Sequence, residues 1–389
     1  MVDFIFQDLQ PNFSLVFLSN KRNHEWNAYK ERADIARKRG VRLLQLTPNE
    51  DLVSRILNDD SVSMRYWDGK SMQELEEKIP LVIYDRFEIL DPEREEIVEA
   101  LSKAQRVFIN PPEFRDVCAD KFKTFSALKD SNIKIPETYL FSEGSLEDLI
   151  NKKGFVFIKK RISSQGRNQI VIREIGKEDY LVIISSKSNR IMRINGFQNL
   201  SFFLKKLNIG EDFIVQEGIN VDRLEGRVYD FRAIFQRGSK GNLGMTCFYA
   251  RVGAPSSEQA NIGKKGHPQD PFVIFEDYDF LKREIDKFGR KVIESLPKNF
   301  VIGETGLDFV LNEEGKLVFI EANSKPGSKG IRTLREWNPS SEVYRNKSII
   351  PYEYNNQLRS IWGRNLDMFL SRPILYAKHL IKEQNEQKK

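Results

Sequence analysis

The sequence lacks the features of membrane, secreted and disulfide-stabilised proteins. Its 389 residues contain no run of about 18 apolar residues, which a membrane-spanning helix requires. The first residues, MVDFIFQDLQPNF, have no basic region and carry acids within their apolar stretch, so they do not resemble a signal peptide. The two cysteines, Cys118 and Cys247, form no CxxC pair, which excludes a cysteine-built zinc site and indicates a reducing compartment. We therefore expect a cytoplasmic protein.

Several functional signatures are also absent. The three histidines, His24, His267 and His379, are scattered, which argues against a histidine-ligated transition metal. Neither the Walker A pattern nor G-x-G-x-x-G occurs, so a P-loop or Rossmann phosphate site is excluded. No G-x-S-x-G or Cys–His nucleophile signature is present. The net charge of +6 is mild and the basic residues form no stripe with interleaved aromatics, so we expect no nucleic-acid partner.

The residues that are present divide the chain into three parts, 1–115, 116–330 and 331–389. In the first part, apolar segments of strand length alternate with helical patterns, which predicts a small α/β domain with a mainly parallel sheet. The strand candidates are 14–18, 41–48, 79–87 and the end of 102–112, and a helix is expected at 27–40. The second part begins with one helix, CADKFKTFSALKDSN, and continues in strand pairs with short turns, which predicts antiparallel sheets. The third part predicts helices interrupted by one proline, Pro373.

One segment, LDFVLNEEGKLVFIEANSKPG (307–327), predicts a hairpin with oxygen-bearing side chains at Asp308, Glu321 and Asn323. A two- or four-residue loop places all three on one face, whereas a three- or five-residue loop separates them. Three oxygen ligands on one face suit a hard cation such as Mg²⁺, which completes its shell with water and substrate phosphates. Solvated acids at the ends of surface strands are the alternative.

Two further segments are candidates for anion binding. In FVFIKKRISSQGRNQIVIREI (155–175), a strand ends at Lys159 and is followed by a loop rich in Ser, Gln and Gly, which suits phosphate oxygens but also fits an ordinary hairpin turn. In FIVQEGINVDRLEGRVYDFRAIFQ (213–236), Gln216 and Glu217 end one strand. Asp230 and Arg232 share a face of the next strand and could equally form a surface salt-bridge ladder.

The order of these features resembles the ATP-grasp superfamily, in its glutathione-synthetase-like branch, and most closely the YheC/YheD-type endospore coat-associated proteins. The resemblance covers most of the chain after residue 79. It is carried by LVIYDRF, ADKFKTFSALKDSNIKIPETYLF, FIKKRISSQGR, IVQEGI, YDFRAIFQ, FYARVG, IGETGLDFVL, FIEANSKPG and RPILYAKHL. It implies an α/β and α+β protein with the ATP-grasp fold, in which a leading α/β domain precedes two antiparallel-sheet subdomains that enclose ATP.

The resemblance also implies roles for individual residues. Lys121 and Lys159 match phosphate-contacting lysines, and Asp230 matches a ribose-contacting acid. Arg232 matches the group that stabilises the transferring phosphoryl, Lys159 assists it, and Arg251 would be a second anion clamp. The mobile loop that closes over the phosphates matches Ser163, Ser164, Gln165 and Gly166. The hinge that reads adenine matches Gln216, Glu217 and Ile219, and the Mg²⁺ ligands match Asp308, Glu321 and Asn323.

The activity implied by the resemblance is an ATP- and Mg²⁺-dependent carboxylate–amine ligase that works through an acyl phosphate. Its substrate would be an amino acid, a peptide or a component of the cell envelope or spore. The loop 260–271, with Lys264, Lys265 and His267, could receive it, and an ordinary solvent loop is the alternative. A nucleotide-binding structural spore-coat protein without turnover and an ATP-dependent phosphotransferase are the alternatives. Spore association, homo-oligomers and spore-coat partners are left open, and no membrane span is expected.

Overall fold

The computed structural model describes residues 14–18, 24–87, 91–163, 169–185, 190–254, 260, 266–275, 277–298, 300–336 and 352–387. These residues form three β-sheets with helices packed on them. The combination of a leading α/β sheet with two antiparallel sheets confirms the predicted ATP-grasp fold class. None of the helices in these ranges combines the length and the hydropathy that crossing a bilayer requires.

The first sheet has the strand order β4-β3-β2-β1-β5-β6. Its parallel strands coincide with the predicted segments, whereas β3 and β4 form an antiparallel hairpin that the sequence analysis does not predict. The strands are β1 (Ser14–Leu18), β2 (Arg42–Leu46), β3 (Val62–Trp67), β4 (Met72–Glu77), β5 (Val82–Asp85) and β6 (Val107–Phe108); the helices are α1 (His24–Lys38), α2 (Leu52–Leu57) and α3 (Arg94–Lys103).

The region between the first and second sheets contains two helices where the sequence analysis expects one. They are α4 (Pro112–Ala119) and α5 (Lys121–Leu128), and Asp120 between them has an extended backbone. The Asp120 carboxylate accepts hydrogen bonds from the backbone N–H groups of Phe122 and Lys123, which is the N-cap arrangement that favours a new helix start. The single-helix prediction is therefore wrong, because a capping residue lies inside the helical pattern.

The second sheet is antiparallel throughout, with the strand order β11-β10-β9-β8-β12-β7. Helices α6 and α7 cover one face of it, and its other face carries Phe155, Phe157, Val171, Leu181 and Ile183. The elements are β7 (Thr138–Leu140), α6 (Glu143–Lys153), β8 (Phe155–Lys160), β9 (Ile170–Gly176), β10 (Asp179–Ile184), β11 (Arg190–Asn195), α7 (Phe197–Lys206) and β12 (Phe213–Glu217).

The third sheet has the order β16-β15-β14-β17-β18, and the short strand β13 pairs with β14. Its largest hydrophobic cluster lies under helix α8 and includes Phe231, Phe235, Ile285, Phe309 and Phe319. The elements are β13 (Arg223–Leu224), β14 (Arg227–Arg237), β15 (Leu243–Val252), β16 (His267–Gln269), α8 (Tyr278–Ser295), β17 (Glu304–Leu311), β18 (Leu317–Asn323) and α9 (Lys329–Arg335).

The last helix, α10 (Tyr352–Gln387), continues through Pro373, so the predicted proline break is wrong. A proline cannot donate a hydrogen bond to the carbonyl four residues earlier, here that of Phe369. Gln236 Nε2 donates to the Phe369 carbonyl instead, at 2.9 Å. The helix packs with Trp362, Leu366 and Phe369 on the third sheet, and with Ile374, Tyr376 and Ala377 on the first. Tertiary contacts therefore replace the lost backbone bond.

The first and third sheets meet closely at Gly303, just before β17. A Cβ at this position would overlap the backbone carbonyl oxygen of Ile109. We expect Gly303→Ala to lower the free energy of unfolding by about 1–3 kcal/mol, because relief requires the two backbones to move apart. Gly210→Ala is the control, since its Cβ would meet no atom within 4 Å. Urea unfolding followed by circular dichroism measures both, and equal midpoints would contradict the expected close packing.

Candidate functional site

A cleft with about 930 Å³ of empty space, including its open mouth, lies between the second and third sheets. Its walls combine apolar side chains with charged groups near one end. The second sheet and the residue just before β9 contribute Phe155, Phe157, Lys159, Gln169, Arg173, Gln216 and Glu217; the third sheet contributes Asp230, Arg251, Asp308, Val310, Ile320 and Glu321; and the segment between the sheets adds Ile219 and Val221. A smaller recess containing Lys121 adjoins it and shares Gln216, Ile320 and Glu321.

The hairpin of β17 and β18 places its two carboxylates together through a β-bulge. Leu311 pairs with Leu317, a register that corresponds to an odd-length loop and that would leave Asp308 opposite Ile320. The register shifts between Asp308 and Phe309, so Ile320 becomes the extra residue and Asp308 lies opposite Glu321. Gly306 then pairs with Asn323, which alternation puts on the face of Glu321. The bulge therefore restores the arrangement that the loop length alone would have broken.

Four charged side chains form a row across three neighbouring strands beside this hairpin. Arg232 donates to both oxygens of Asp308, at 2.7 and 2.6 Å. Arg251 donates to both oxygens of Asp230, at 2.6 Å each, and its Nη2 also donates to Asp308 at 2.8 Å. Asp230, predicted to contact ribose, is thus paired with Arg251. Bidentate pairs of this kind fix the planes of both arginine side chains.

The two carboxylates of the hairpin differ in their protonation behaviour. Burial opposes ionisation of Asp308, but Arg232 and Arg251 outweigh it and hold the pKa of this carboxyl well below its usual range. About 43% of the Glu321 side chain is accessible from the cleft. The surrounding protein nevertheless limits its hydration, and this together with the charge of Asp308 raises the pKa of Glu321. A cation placed beside Glu321 would therefore relieve an unfavourable concentration of negative charge.

The hairpin residues fit a hard cation. Glu321 faces the cleft, Asn323 supplies an amide oxygen, and Oδ1 of Asp308 retains a second lone pair besides the one used by Arg232, whereas Oδ2 accepts from both arginines. This donor set is carboxylate and amide oxygen, which Mg²⁺ prefers together with phosphate and water. In the ranges that the structure describes, no cluster of three His, Cys, Asp or Glu side chains could hold a metal by itself. Oxygens of a bound ligand would complete the coordination.

Lys159 and Lys121 lie opposite the hairpin. Lys159 Nζ donates to Gln216 Oε1 at 2.7 Å, and Gln216 Nε2 donates to Thr138 Oγ1 at 2.9 Å. Burial lowers the pKa of Lys159 to about 8, with Glu321 favouring the charged form and Lys121 opposing it. Lys121 Nζ donates to the backbone oxygen and the hydroxyl of Ser163, at 3.0 and 2.9 Å. The two ammonium groups therefore form the cationic side of the cleft.

Of the remaining predicted residues, Glu217 ends β12 and Ile219 lies in the segment between the two sheets. Glu217 lines the cleft, and its carboxylate is paired with Lys153 at 2.9 Å and accepts a hydrogen bond from the backbone N–H of Glu137. Ile219 lines the cleft directly. Ser164, Gln165 and Gly166, and also Lys264 and Lys265, lie outside the described residues. His267 begins β16 and pairs with Val252, at the edge of the third sheet.

The sequence analysis misses several residues that the structure brings to the cleft. Phe155 and Phe157 lie on the cleft-facing side of β8, and Arg173 lies 3.4 Å above the ring of Phe155. The sequence shows that these residues alternate along their strands. It does not show which face of the sheet lies against a second sheet, because that depends on tertiary packing.

Comparisons with known proteins agree with this architecture. The model of the YheC/D-like ATP-grasp family matches residues 108–356. The chain is 24% identical over 336 residues to the endospore coat-associated protein YheC of Bacillus subtilis (strain 168), a match that covers 82% of this chain and 90% of YheC. It is 26% identical over 124 residues to the endospore coat-associated protein YheD of the same organism, covering 30% of this chain but only 27% of YheD.

Among solved structures, the D-alanine–D-alanine ligase from Coxiella burnetii superposes with a TM-score of 0.50 at 12% identity, covering 97% of this chain and 99% of the ligase. At this identity the likeness concerns the fold. The family match extends over more than half of the chain, including β17, β18 and the charged row described above. The chain therefore belongs to the YheC/D-like ATP-grasp family.

Proposed function

We propose that this protein is an ATP- and Mg²⁺-dependent carboxylate–amine ligase. The observation that carries the proposal is the cleft with its adjoining recess, in which Lys159 and Lys121 face Glu321 and the charged row of Arg232, Asp308, Arg251 and Asp230. The described residues that line the main cleft include no hydroxyl, thiol or imidazole. The adjoining recess contains Cys118, Thr124 and Thr138, and burial raises the pKa of the Cys118 thiol, which opposes a nucleophilic role. Such a site suits chemistry that depends on positioning and charge neutralisation rather than on a nucleophilic side chain.

The proposed reaction has two steps. A carboxylate oxygen of the substrate attacks the γ-phosphorus of ATP, the bond to the β-phosphate oxygen breaks, and ADP leaves. The amine nitrogen of the second substrate then attacks the carbonyl carbon of the acyl phosphate. The carbon–oxygen bond to phosphate breaks with its electron pair, the nitrogen loses a proton, and the products are an amide and phosphate.

The residues would divide this work by charge. Lys121 and Lys159 bind the phosphates of ATP, while Arg232 and Arg251 stabilise charge on the transferring phosphoryl group. Asp308, Glu321 and Asn323 would hold Mg²⁺, which when bound neutralises charge shared between the phosphates. Phe155, Phe157, Val310 and Ile320 offer apolar walls for the base. Asp230 holds Arg251 in place through its bidentate pair.

The proposed substrates are an amino acid, a peptide or a component of the cell envelope or spore. The D-alanine–D-alanine ligase, which shares the fold, is named for joining two amino acids, and this supports an amino-acid or peptide acceptor. The name of YheC as an endospore coat-associated protein supports a spore context. Homo-oligomers and spore-coat partners belong to the same proposal.

The first test is a thermal-shift titration with ATP, with and without Mg²⁺. A ligand that binds only the folded state at 100 times its Kd adds about 2.7 kcal/mol, so a Mg²⁺-dependent rise in the melting temperature is expected. ADP release is then measured with paired carboxylates and amines. Release that needs both substrates supports a ligase, release with one acceptor alone favours a phosphotransferase, and no shift at millimolar ATP contradicts the nucleotide site.

ATP binding should weaken above about pH 8. The pKa of Lys159 is lowered to about 8 in the nucleotide-free protein, and the ATP phosphates stabilise its charged form. Binding therefore takes up a proton once the pH exceeds this pKa, and the affinity should fall by up to about tenfold per pH unit. Calorimetric titrations from about pH 7 to about pH 9.5 measure the effect. Lys159→Arg keeps its charge over this range, so a variant with an equally steep decline would contradict the assignment to Lys159.

A further inference from the structure

The open end of the hairpin, opposite its turn, is closed by a side chain from the first sheet. Asn110 follows β6 and is almost completely buried. Its Oδ1 accepts hydrogen bonds from the backbone N–H groups of Gly303 and Glu304, at 2.9 and 3.0 Å. Its Nδ2 donates to the backbone oxygens of Glu304 and Ser324, at 2.9 and 2.7 Å. One amide thus ties the first residue of β17 to the residue that follows Asn323.

The bond to Ser324 leads directly to the side chain of Asn323. The carbonyl of Ser324 and the N–H of Lys325 belong to one planar peptide unit. Asn110 donates to the Ser324 oxygen of this unit, and the Lys325 N–H of the same unit donates to Asn323 Oδ1 at 3.2 Å. The orientation of the peptide plane therefore fixes which atom of the Asn323 carboxamide is the oxygen and where it points. A rotation of this plane would release the carboxamide.

The surroundings of Asn110 restrict that rotation. Arg86 Nη2 donates to the backbone oxygen of Pro326 at 3.3 Å. The Arg86 guanidinium is itself bonded to the buried Glu304 carboxylate, which also accepts from Tyr84 and Gln236. These bonds join the first sheet to both strands of the hairpin.

We propose that Asn110 is a positioning residue that orients Asn323 toward the metal ion of the nucleotide complex. The inference rests on the proposed function, because it concerns the Mg²⁺ site of that reaction. Asn110 acts through the Ser324–Lys325 peptide and contacts neither nucleotide nor metal. It makes the first sheet part of the metal site, although the sheet contributes no ligand to it.

The test compares metal-free and Mg²⁺-dependent ATP binding in Asn110→Ser. Serine shortens the side chain and so loses the bond to Ser324 together with the three bonds to Gly303 and Glu304, without introducing a charge. Partners that orient metal ligands typically contribute about 10- to 100-fold to metal affinity. We therefore expect that the Mg²⁺ concentration giving half of the maximal increase in ATP binding, at fixed ATP, rises by at least about tenfold. ATP affinity without Mg²⁺ should stay within about twofold of the unsubstituted protein, since the lysines are untouched. Asn110→Asp is the second variant, because its carboxylate would repel the oxygens of Glu304 and Ser324.

Tyr84→Phe is the matched control. It removes the hydroxyl that donates to Glu304 and accepts from Arg86 Nη1 at 3.4 Å in the same junction, but it leaves the hydrogen bonds of the Ser324–Lys325 peptide in place. It should lower the melting temperature without changing the Mg²⁺ dependence. The inference is overturned if Mg²⁺ dependence in both Asn110 variants changes less than about threefold, or if metal-free ATP binding falls in proportion. If the unsubstituted protein binds no ATP, the proposed function itself is overturned. If the unsubstituted protein binds ATP with Mg²⁺ dependence and only the Asn110 variants fail to differ from it, the inference about Asn110 alone is overturned.

Discussion

Replacing Glu321 by glutamine is expected to reduce ATP turnover by at least about 10²- to 10³-fold while the protein remains folded. The substitution keeps the shape of the side chain but removes the charge that faces the cleft. Because Asp308 and limited hydration raise the pKa of Glu321, the carboxylate is unfavourable in the ligand-free protein. The thermal midpoint without nucleotide should therefore be unchanged or higher, as at sites where activity is gained at the expense of stability. ADP release and thermal unfolding measure the two effects.

Glu314→Gln provides the control within the same hairpin. Glu314 lies in the turn, is 65% exposed and pairs with Lys316 at 2.9 Å. Its loss should change neither turnover nor the response to Mg²⁺, because exposed pairs contribute little. Full turnover in Glu321→Gln would remove this residue from the metal site. A variant that unfolds would instead give the carboxylate a structural role, which its pKa opposes.

The hairpin also illustrates what the sequence can predict about this site. Alternation correctly places Glu321 and Asn323 on one face, and the residue types indicate a hard cation. The residue that lies opposite Asp308 on β18 depended on the length of the loop. The loop has an odd number of residues, which without a bulge would have placed the two carboxylates on opposite faces. The bulge at Ile320 corrects the register, and no residue in the strand LVFIEAN marks a bulge as a glycine would. Local pattern thus predicts the chemistry but not the pairing.

Other differences arise where distant segments supply hydrogen bonds. Pro373 ends a helix by local rules, yet Gln236, more than a hundred residues earlier, satisfies the carbonyl that the proline leaves free. Asn110 bonds to Glu304 and Ser324 across a still longer separation in sequence. In the sequence it is only a polar residue before two prolines. The parallel strands and the two antiparallel sheets were predictable, apart from the β3–β4 hairpin, because apolar segments and short turns are local signals. These contacts were not, because they depend on how the sheets are packed.

The pairing of charges across strands changes the interpretation of single residues as well. Gln216 and Asp230 are predicted to contact the nucleotide, and both line the cleft. The side chain of Gln216 is bonded to Lys159 and Thr138, and Asp230 is bonded to Arg251. Each of them thus holds a cation that faces the cleft. Sequence position indicates that a residue belongs to the site, whereas its role depends on which neighbour it contacts.

The second large effect is expected for Arg232→Lys, which should reduce turnover by about 10²- to 10³-fold and weaken ATP binding much less. Lysine keeps the charge but cannot make the paired bonds that Arg232 makes to Asp308. The ground-state complex retains the lysines, so the loss should appear in kcat rather than in the ATP Kd. Steady-state kinetics and calorimetric titration separate the two quantities.

The same substitution should also change the acid stability of the protein. Arg232 and Arg251 hold the pKa of Asp308 below its usual range, so the pair stabilises the fold above that range and the contribution is lost as the pH falls. With Arg232 replaced, Asp308 protonates at a higher pH, and acid unfolding should begin at a higher pH as well. An unchanged acid transition would mean that Arg251 alone sustains the Asp308 carboxylate.

Arg193→Lys is the matched control for both readouts. Arg193 also pairs with an aspartate through two bonds, to Asp179, but its side chain is 70% exposed on the edge strand of the second sheet. Solvent screens that pair, so turnover and acid stability should stay close to those of the unsubstituted protein. If Arg193→Lys and Arg232→Lys behaved alike, loss of bidentate geometry at any position would explain the data. A large effect at Arg232 alone would assign it to the cleft, where a guanidinium held by Asp308 lies 3.8 Å from Glu321.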